Sequence, residues 1–291
     1  MTITIVGVGL IGGSIAKDLR VSGFAAHIIG VDKDKQNASY ALKLGIIDEI
    51  MELEKAIPLS DIIIISIPVK AGTKLLPFIL DKISTNTVIT DVGSTKKDIC
   101  DAVRMHRNRK QFVAFHPIAG TENSGSKASL EGLFDGKVGI ICEKELSDAK
   151  ALKQIAKMFQ TLKMNLLFMD SDSHDLHVAY VSHMPHVISY VLAETVLEVE
   201  KSTASIFNLA GSGFASTARL GKSPASMWVP IFEQNSKHIS KALDVYIKNL
   251  KRFKTSIDKR DVAVMQKDIE SANKIREVLD GIKTRSIRKI N

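Results

Sequence analysis

Cysteine is nearly absent from this chain: Cys100 and Cys142 are the only two among 291 residues. Two distant thiols make neither a disulfide framework nor a thiolate metal site, and they suit a reducing compartment, so a cytoplasmic location is expected. Long hydrophobic stretches are missing as well. The run Ile62 to Ile65 stops at Ser66, far short of the roughly 20 apolar residues of a membrane span. The N-terminus has no basic region before its first apolar residues, which argues against a signal peptide. There is no internal repeat and no low-complexity linker. Charge of one sign is in excess only locally. Residues 237–291 hold 15 Lys and Arg against 7 Asp and Glu, which accounts for the whole net charge of +8. Mixed signs on helical segments read as a solvated face. With no RNA- or DNA-binding motif present, neither a nucleic-acid nor a membrane partner is expected.

What is present is ordinary globular composition, 45% hydrophobic and 25% charged, in a length that suits two domains. Up to about residue 167, short β-branched runs alternate with helical stretches. Residues 2–6, 27–31, 61–67, 87–92, 112–115, 138–142 and 165–169 read as strands. Several are continuously apolar, as in a parallel sheet covered on both faces. Helices are expected over 11–21, 35–44 and 70–80. This is the pattern of a Rossmann-like, doubly wound α/β domain over 1–167. From 168 to 291 the strand signals stop, and an all-helical domain is expected. Its helices span 171–200 (kinked or locally ended by Pro185), 224–250 and 261–281, with an irregular segment around 210–220.

Gly7-Val8-Gly9-Leu10-Ile11-Gly12 follows the first strand and opens the first helix, the context a dinucleotide fingerprint requires. Gly7 allows the tight turn, Gly9 lets backbone approach a pyrophosphate, and Gly12 lets helix pack on strand. The amides at the start of that helix, from Leu10 and Ile11, face the phosphates. Asp32, twenty residues after Gly12, suits the adenosine ribose hydroxyls and favours NAD over NADP. Basic Lys33 and Lys35 beside it pull the other way. Ser66 and Pro68, around the end of the 61–67 strand, join Gly7, Gly9, Leu10, Ile11, Gly12 and Asp32 as cofactor-binding candidates.

Ser94, in Asp91-Val92-Gly93-Ser94, and His116, before Pro117, both follow strands at the sheet edge where such folds bind ligands. A histidine there can take a hydroxyl proton as hydride leaves the same carbon. Ser94 reads equally as its hydrogen-bond partner or as a helix N-cap. Four histidines crowd into thirteen residues: His174, His177, His183 and His186. No thiolate or suitably spaced Glu accompanies them, so no metal is expected; substrate hydrogen bonding and burial in a helical core remain the alternatives. Arg219, among small and apolar neighbours, reads as a carboxylate ligand or as a partner of helix-end carbonyls. Trp228, the only tryptophan, reads as core or pocket wall.

Together these pieces resemble the prephenate/arogenate dehydrogenase family. The matching motifs run in order from residue 7 to about 235: the fingerprint, Asp91–Ser94, His116-Pro117-Ile118-Ala119-Gly120 through Gly125, Ser182-His183-Met184-Pro185-His186, Gly213-Phe214 through Arg219, and Met227-Trp228. The resemblance implies an NAD-dependent oxidative decarboxylation of prephenate to 4-hydroxyphenylpyruvate. His116 would act at the 4-hydroxyl with Ser94. Substrate would be held by His186, Arg219, Ser182, His183 and Trp228, with Arg219 on a carboxylate. It also implies a homodimer through the helical domain. The residue before the arginine is Ala218, where many members carry Thr. No regulatory ACT domain or fused mutase is expected. Arogenate dehydrogenase is the nearest rival reading. A β-hydroxyacid dehydrogenase, which would need a lysine such as Lys222 or Lys237, and a non-catalytic NAD sensor are more distant.

Overall fold

Runs of β-branched residues become the strands of one eight-stranded sheet. In the computed structural model, which describes residues 1–202 and 206–287, these are β1 (Thr2–Val6), β2 (His27–Val31), β3 (Glu49–Ile50), β4 (Ile62–Ile65), β5 (Val88–Asp91), β6 (Phe112–Pro117), β7 (Val138–Cys142) and β8 (Asn165–Met169). Their order is β3-β2-β1-β4-β5-β6-β7-β8. All neighbours are parallel except β6 and β7, which run antiparallel. A doubly wound sheet is thus present, but not a wholly parallel one. β3 escaped sequence reading because two residues carry no periodicity. The expected strands 61–67 and 87–92 prove shorter, while β6 runs on through His116 and Pro117.

The isoleucine run shows why this sheet forms. Ile62 and Ile64 pack in the cluster on one face with Ile3, Ile5, Val113 and Phe115. Ile63 and Ile65 pack in the other with Leu76, Ile79, Ile89 and Phe112. Alternation sends successive side chains to opposite faces, so four consecutive isoleucines serve two cores. Each such fully buried side chain contributes about 1.5–3 kcal/mol. The helices α1 (Leu10–Val21), α2 (Lys35–Lys43), α3 (Leu53–Ala56), α4 (Val69–Lys82), α5 (Lys97–Ala102) and α6 (Ala149–Thr161) complete this half. Asp34 caps α2 by accepting from the amides of Gln36 and Asn37, and Asp148 caps α6 likewise.

Register decides the site. Val6 pairs with Ile65, Ile65 with Asp91, and Asp91 with Ala114. The carboxyl ends of four strands are therefore level. Gly7, Ser66, Val92 to Ser94, and His116 emerge along one rim, across the β1/β4 position where the strand order reverses.

The helical half departs from expectation in its breaks. The stretch 171–200 is helical throughout, as expected, but its irregularity lies just before Pro185. α7 (Ser171–Val178) gives way to a π-turn over Ala179–His183, and α8 (Met184–Ser202) then begins. Pro185 falls two residues after the π-turn, within continuous helix. The segment near 211–221 is more regular than expected: α9 (Ser212–Ala218), then a 3₁₀ turn from Arg219 to Lys222. The stretch 224–250 divides at Asn235 into α10 (Ala225–Gln234) and α11 (Ser236–Asp258). The stretch 261–281 divides into α12 (Val262–Asn273) and α13 (Ile275–Ile287). Residues 203–205 and 288–291 of the region expected to be helical lie outside the described residues. No helix among the described residues is long and apolar enough to cross a membrane.

Candidate active site

The fingerprint is built by close packing. Gly7 has φ +95°, and a Cβ there would sit 2.3 Å from the Ser66 carbonyl oxygen. A Cβ on Gly12 would sit 2.2 Å from the Gly7 carbonyl oxygen, so Gly12 lies behind the turn rather than in the cleft. At Gly9 an added Cβ meets no atom within 4 Å, which leaves a backbone-lined opening at the start of α1. A cavity of about 280 Å³ there is lined by Gly9, Leu10, Ile11, Ser66, Pro68 and Ser94, among others. A second, about 660 Å³, continues past Gly7, Asp32, Ser66 and Pro68. Asp32 is held in place: Oδ2 accepts from the Val8 amide (3.0 Å) and Asn37 Nδ2 (2.8 Å), and Oδ1 accepts from the Asp34 amide (2.9 Å). The described residues thus fit a dinucleotide, and the Asp32 carboxylate expected at its ribose is held in place.

Beyond the glycines lies a buried polar chain. His116 is 7% exposed, and His174 and Asp175 essentially not at all. His116 Nδ1 lies 2.8 Å from His174 Nε2, and His174 Nδ1 lies 2.7 Å from Asp175 Oδ1. Asp175 also accepts the amides of Lys96 (2.8 Å, Oδ1) and Lys97 (3.0 Å, Oδ2) at the start of α5. The helix start next to Ser94 is therefore capped from α7, not by Ser94. Burial holds His116 well below the ordinary histidine range, with the charges of His174, Lys96 and His183 adding to the effect. Burial also lowers His174, against the pull of Asp175. Burial pushes Asp175 up, but the His174 hydrogen bond and the two amides outweigh it, and it stays ionised.

Under this chain sits an ion pair. Lys96, fully buried, bonds Asp91 Oδ2, and Asp91 also accepts from the amides of Gly93 (2.9 Å) and Phe115 (3.3 Å). The remaining substrate candidates lie on the helical side. His183 is buried, lowered to about 4 chiefly by desolvation, and its Nδ1 accepts from Asn235 Nδ2 at 3.1 Å. Asn235 Nδ2 also donates to the Asp175 carbonyl (2.7 Å). The rings of His186 and Trp228 stack, with centroids 3.5 Å apart. His186 Nδ1 donates to the Ser182 carbonyl at 2.9 Å, so Ser182 contributes its backbone here. Trp228 Nε1 is buried with no hydrogen-bond partner among the described residues. Arg219, half-exposed, pairs with Glu122 at 2.9 Å, and its charge helps burial depress His186.

The cofactor candidates and Ser94 therefore share one rim, with His116 ending the neighbouring strand. His183, His186 and Trp228 form a second group, and Arg219 lies near His186. His177 stands apart, bonded to the Ser173 carbonyl. No group of three or more His, Cys, Asp or Glu side chains among the described residues is placed to hold a metal ion. Sequence reading gave no site role to Lys96 or Asn235 and could not place the acids Glu122 and Asp175 relative to substrate. The adjacent pair His174-Asp175 within the histidine-rich stretch was the one available signal.

The chain matches two family models: prephenate dehydrogenase, nucleotide-binding domain, over residues 15–167, and prephenate dehydrogenase, dimerization domain, over 170–279. It is 30% identical to the prephenate dehydrogenase of Bacillus subtilis over 96% of this chain and 76% of that protein. The crystal structure of a prephenate dehydrogenase from A. aeolicus, in complex with hydroxyphenyl propionate and NAD+, superposes with a TM-score of 0.87. That pair shares 32% identity over 96% of this chain and 98% of the other. A Synechocystis arogenate dehydrogenase superposes at 0.76, with 26% identity over 96% and 100% of the two chains. With both halves matched in order, and the fingerprint, rim and helical half in their expected places, this chain belongs to the prephenate dehydrogenase family.

Proposed function

We infer that the protein catalyses NAD-dependent oxidative decarboxylation of prephenate to 4-hydroxyphenylpyruvate. The observation that carries this reading is a neutral buried histidine, His116, at the rim that the dinucleotide turn opens onto. Its Nδ1 is engaged by His174, so Nε2 is the nitrogen available to substrate. NAD, when bound, accepts the hydride from the carbon bearing the 4-hydroxyl. His116 Nε2 takes the hydroxyl proton as the C–H bond breaks. The ring carboxylate leaves as CO2, its bonding pair completes the aromatic ring, and the C4 oxygen takes its proton back from His116 to give the phenol. Ser94 orients the hydroxyl from the adjacent strand end. His186 and Trp228 form one wall, with Ser182 and His183 behind them, and Arg219 holds a substrate carboxylate.

The working enzyme is read as a cytoplasmic homodimer. The helical half supports this with a wide apolar surface: α11 alone exposes Val245, Ile247, Leu250 and Ile257. Paired copies would bury such a face.

The first test is NADH formation at 340 nm, with prephenate and arogenate offered separately. A rate with prephenate is expected. A rate confined to arogenate would keep the chemistry but reassign side-chain recognition. Glu122, paired with Arg219, is a carboxylate that could meet an ammonium there. Arg219→Ala is expected to raise KM for substrate about 10- to 100-fold with a smaller change in kcat. An unaltered KM would place the carboxylate elsewhere. Asp32→Ala is expected to narrow the ratio of kcat/KM for NAD over NADP. A ratio that stays put would assign the ribose to another partner.

A further inference from the structure

The chain from His116 to Asp175 has a direction, and donor chemistry sets it. Asp175 Oδ1 and Oδ2 each accept a backbone amide, and an ionised carboxylate can only accept. His174 Nδ1, 2.7 Å from Oδ1, must therefore carry a proton. His174 is fully buried and neutral, so its Nε2 is bare. His116 Nδ1, 2.8 Å from that nitrogen, must then be the donor. Only one nitrogen of a neutral imidazole carries hydrogen. His116 Nε2 is left as a bare lone pair.

We propose that Asp175, acting through His174, is the positioning carboxylate that keeps the proton of His116 on Nδ1 and so holds Nε2 ready to accept. This rests on reading His116 as the base. Capping of α5 explains the Lys96 and Lys97 contacts, but it does not require an imidazole aligned between carboxylate and His116. In the reaction the 4-hydroxyl proton bonds to Nε2 while hydride leaves for the nicotinamide. The resulting imidazolium donates from Nδ1 to His174, whose own proton remains directed at the Asp175 carboxylate. The positive charge thus forms at the open end of a chain that ends in a negative one. The logic is that of an acid–imidazole pair with a second imidazole inserted. Without the carboxylate, the two rings can reverse their shared hydrogen bond, which protonates His116 Nε2 and removes the acceptor.

The test is nitrogen NMR of 15N-histidine-labelled protein, run beside steady-state kinetics. The His116 signals are assigned by their loss in His116→Asn. In the parent protein, His116 Nε2 should resonate as an unprotonated nitrogen. In Asp175→Ala it should acquire protonated character, with kcat lower by about 10²–10³-fold, while KM and NAD affinity stay near those of the parent. His174→Phe keeps the α5 cap and breaks the chain. It should show the same two changes, and it carries the test if Asp175→Ala does not fold. His174→Gln offers an oxygen to His116 Nδ1 and should recover most of the kcat lost in His174→Phe. Folded variants in which Nε2 stays bare and kcat is unchanged would overturn the proposal. A shifted proton with unchanged kcat would uphold the proton placement and overturn His116 as the base.

Discussion

Replacing His116 with Asn should lower kcat by about 10²–10⁴-fold, the range in which a positioned proton acceptor contributes, while NAD affinity measured by fluorescence titration stays near that of the parent protein. Asn can still accept a hydrogen bond from the 4-hydroxyl through its oxygen, so substrate should bind. It cannot carry the proton away, so only the chemical step suffers. The pH dependence should follow. Burial holds the His116 imidazole well below the ordinary histidine range, and the neutral form is the active one. Activity should therefore persist as pH falls through the usual histidine range and fade only below it, as the depressed pKa is passed. A kcat unchanged in His116→Asn, or an acid limb at or above the ordinary histidine value, would remove His116 as the base.

Asp91→Ala should act on folding rather than on a single catalytic step. Asp91 and Lys96 are both buried, and Asp91 also takes the Gly93 and Phe115 amides. Removing the carboxylate leaves an ammonium without its counter-charge, and breaking such a pair typically costs about 3–5 kcal/mol. Two backbone donors lose their acceptor at the same place. Chemical denaturation at pH 7 should show the drop in midpoint. The companion change Lys96→Met should restore much of it, because the expense lies in the uncompensated charge more than in the lost attraction. An Asp91→Ala protein of parental stability would show that the Lys96 ammonium reaches solvent instead. The pair also fixes the geometry of the rim, since Asp91 joins β5 to β6 one residue before His116.

Much of this fold was legible because its signals are local. The Gly7–Gly12 turn, the isoleucine run of β4 and the apolar spacing of the helices each depend on residues within a few positions of one another. Helix ends were less legible. The break falls at Asn235, whose side chain bonds to Asp175 and His183, more than fifty residues away. The π-turn over Ala179–His183 likewise has no punctuating glycine or proline inside it. The candidate site divides in the same way. Gly9, Ser66 and Ser94 could be placed together from their positions after strands. The N-cap reading of Ser94 failed because a carboxylate from another part of the chain occupies that role.

The sequence by itself determined a dinucleotide-binding sheet followed by helices, and the identity of the histidine at its rim, because alternation, helical period and glycine turns are written in neighbouring residues. Tertiary structure alone decided what surrounds that histidine. His174 stands 58 positions from His116, and Glu122 97 from Arg219. No periodicity connects residues so far apart. Only the packing of α7 against the start of α5 brings a buried carboxylate and a second imidazole into line, and in that low-dielectric setting their partners dictate where each proton resides.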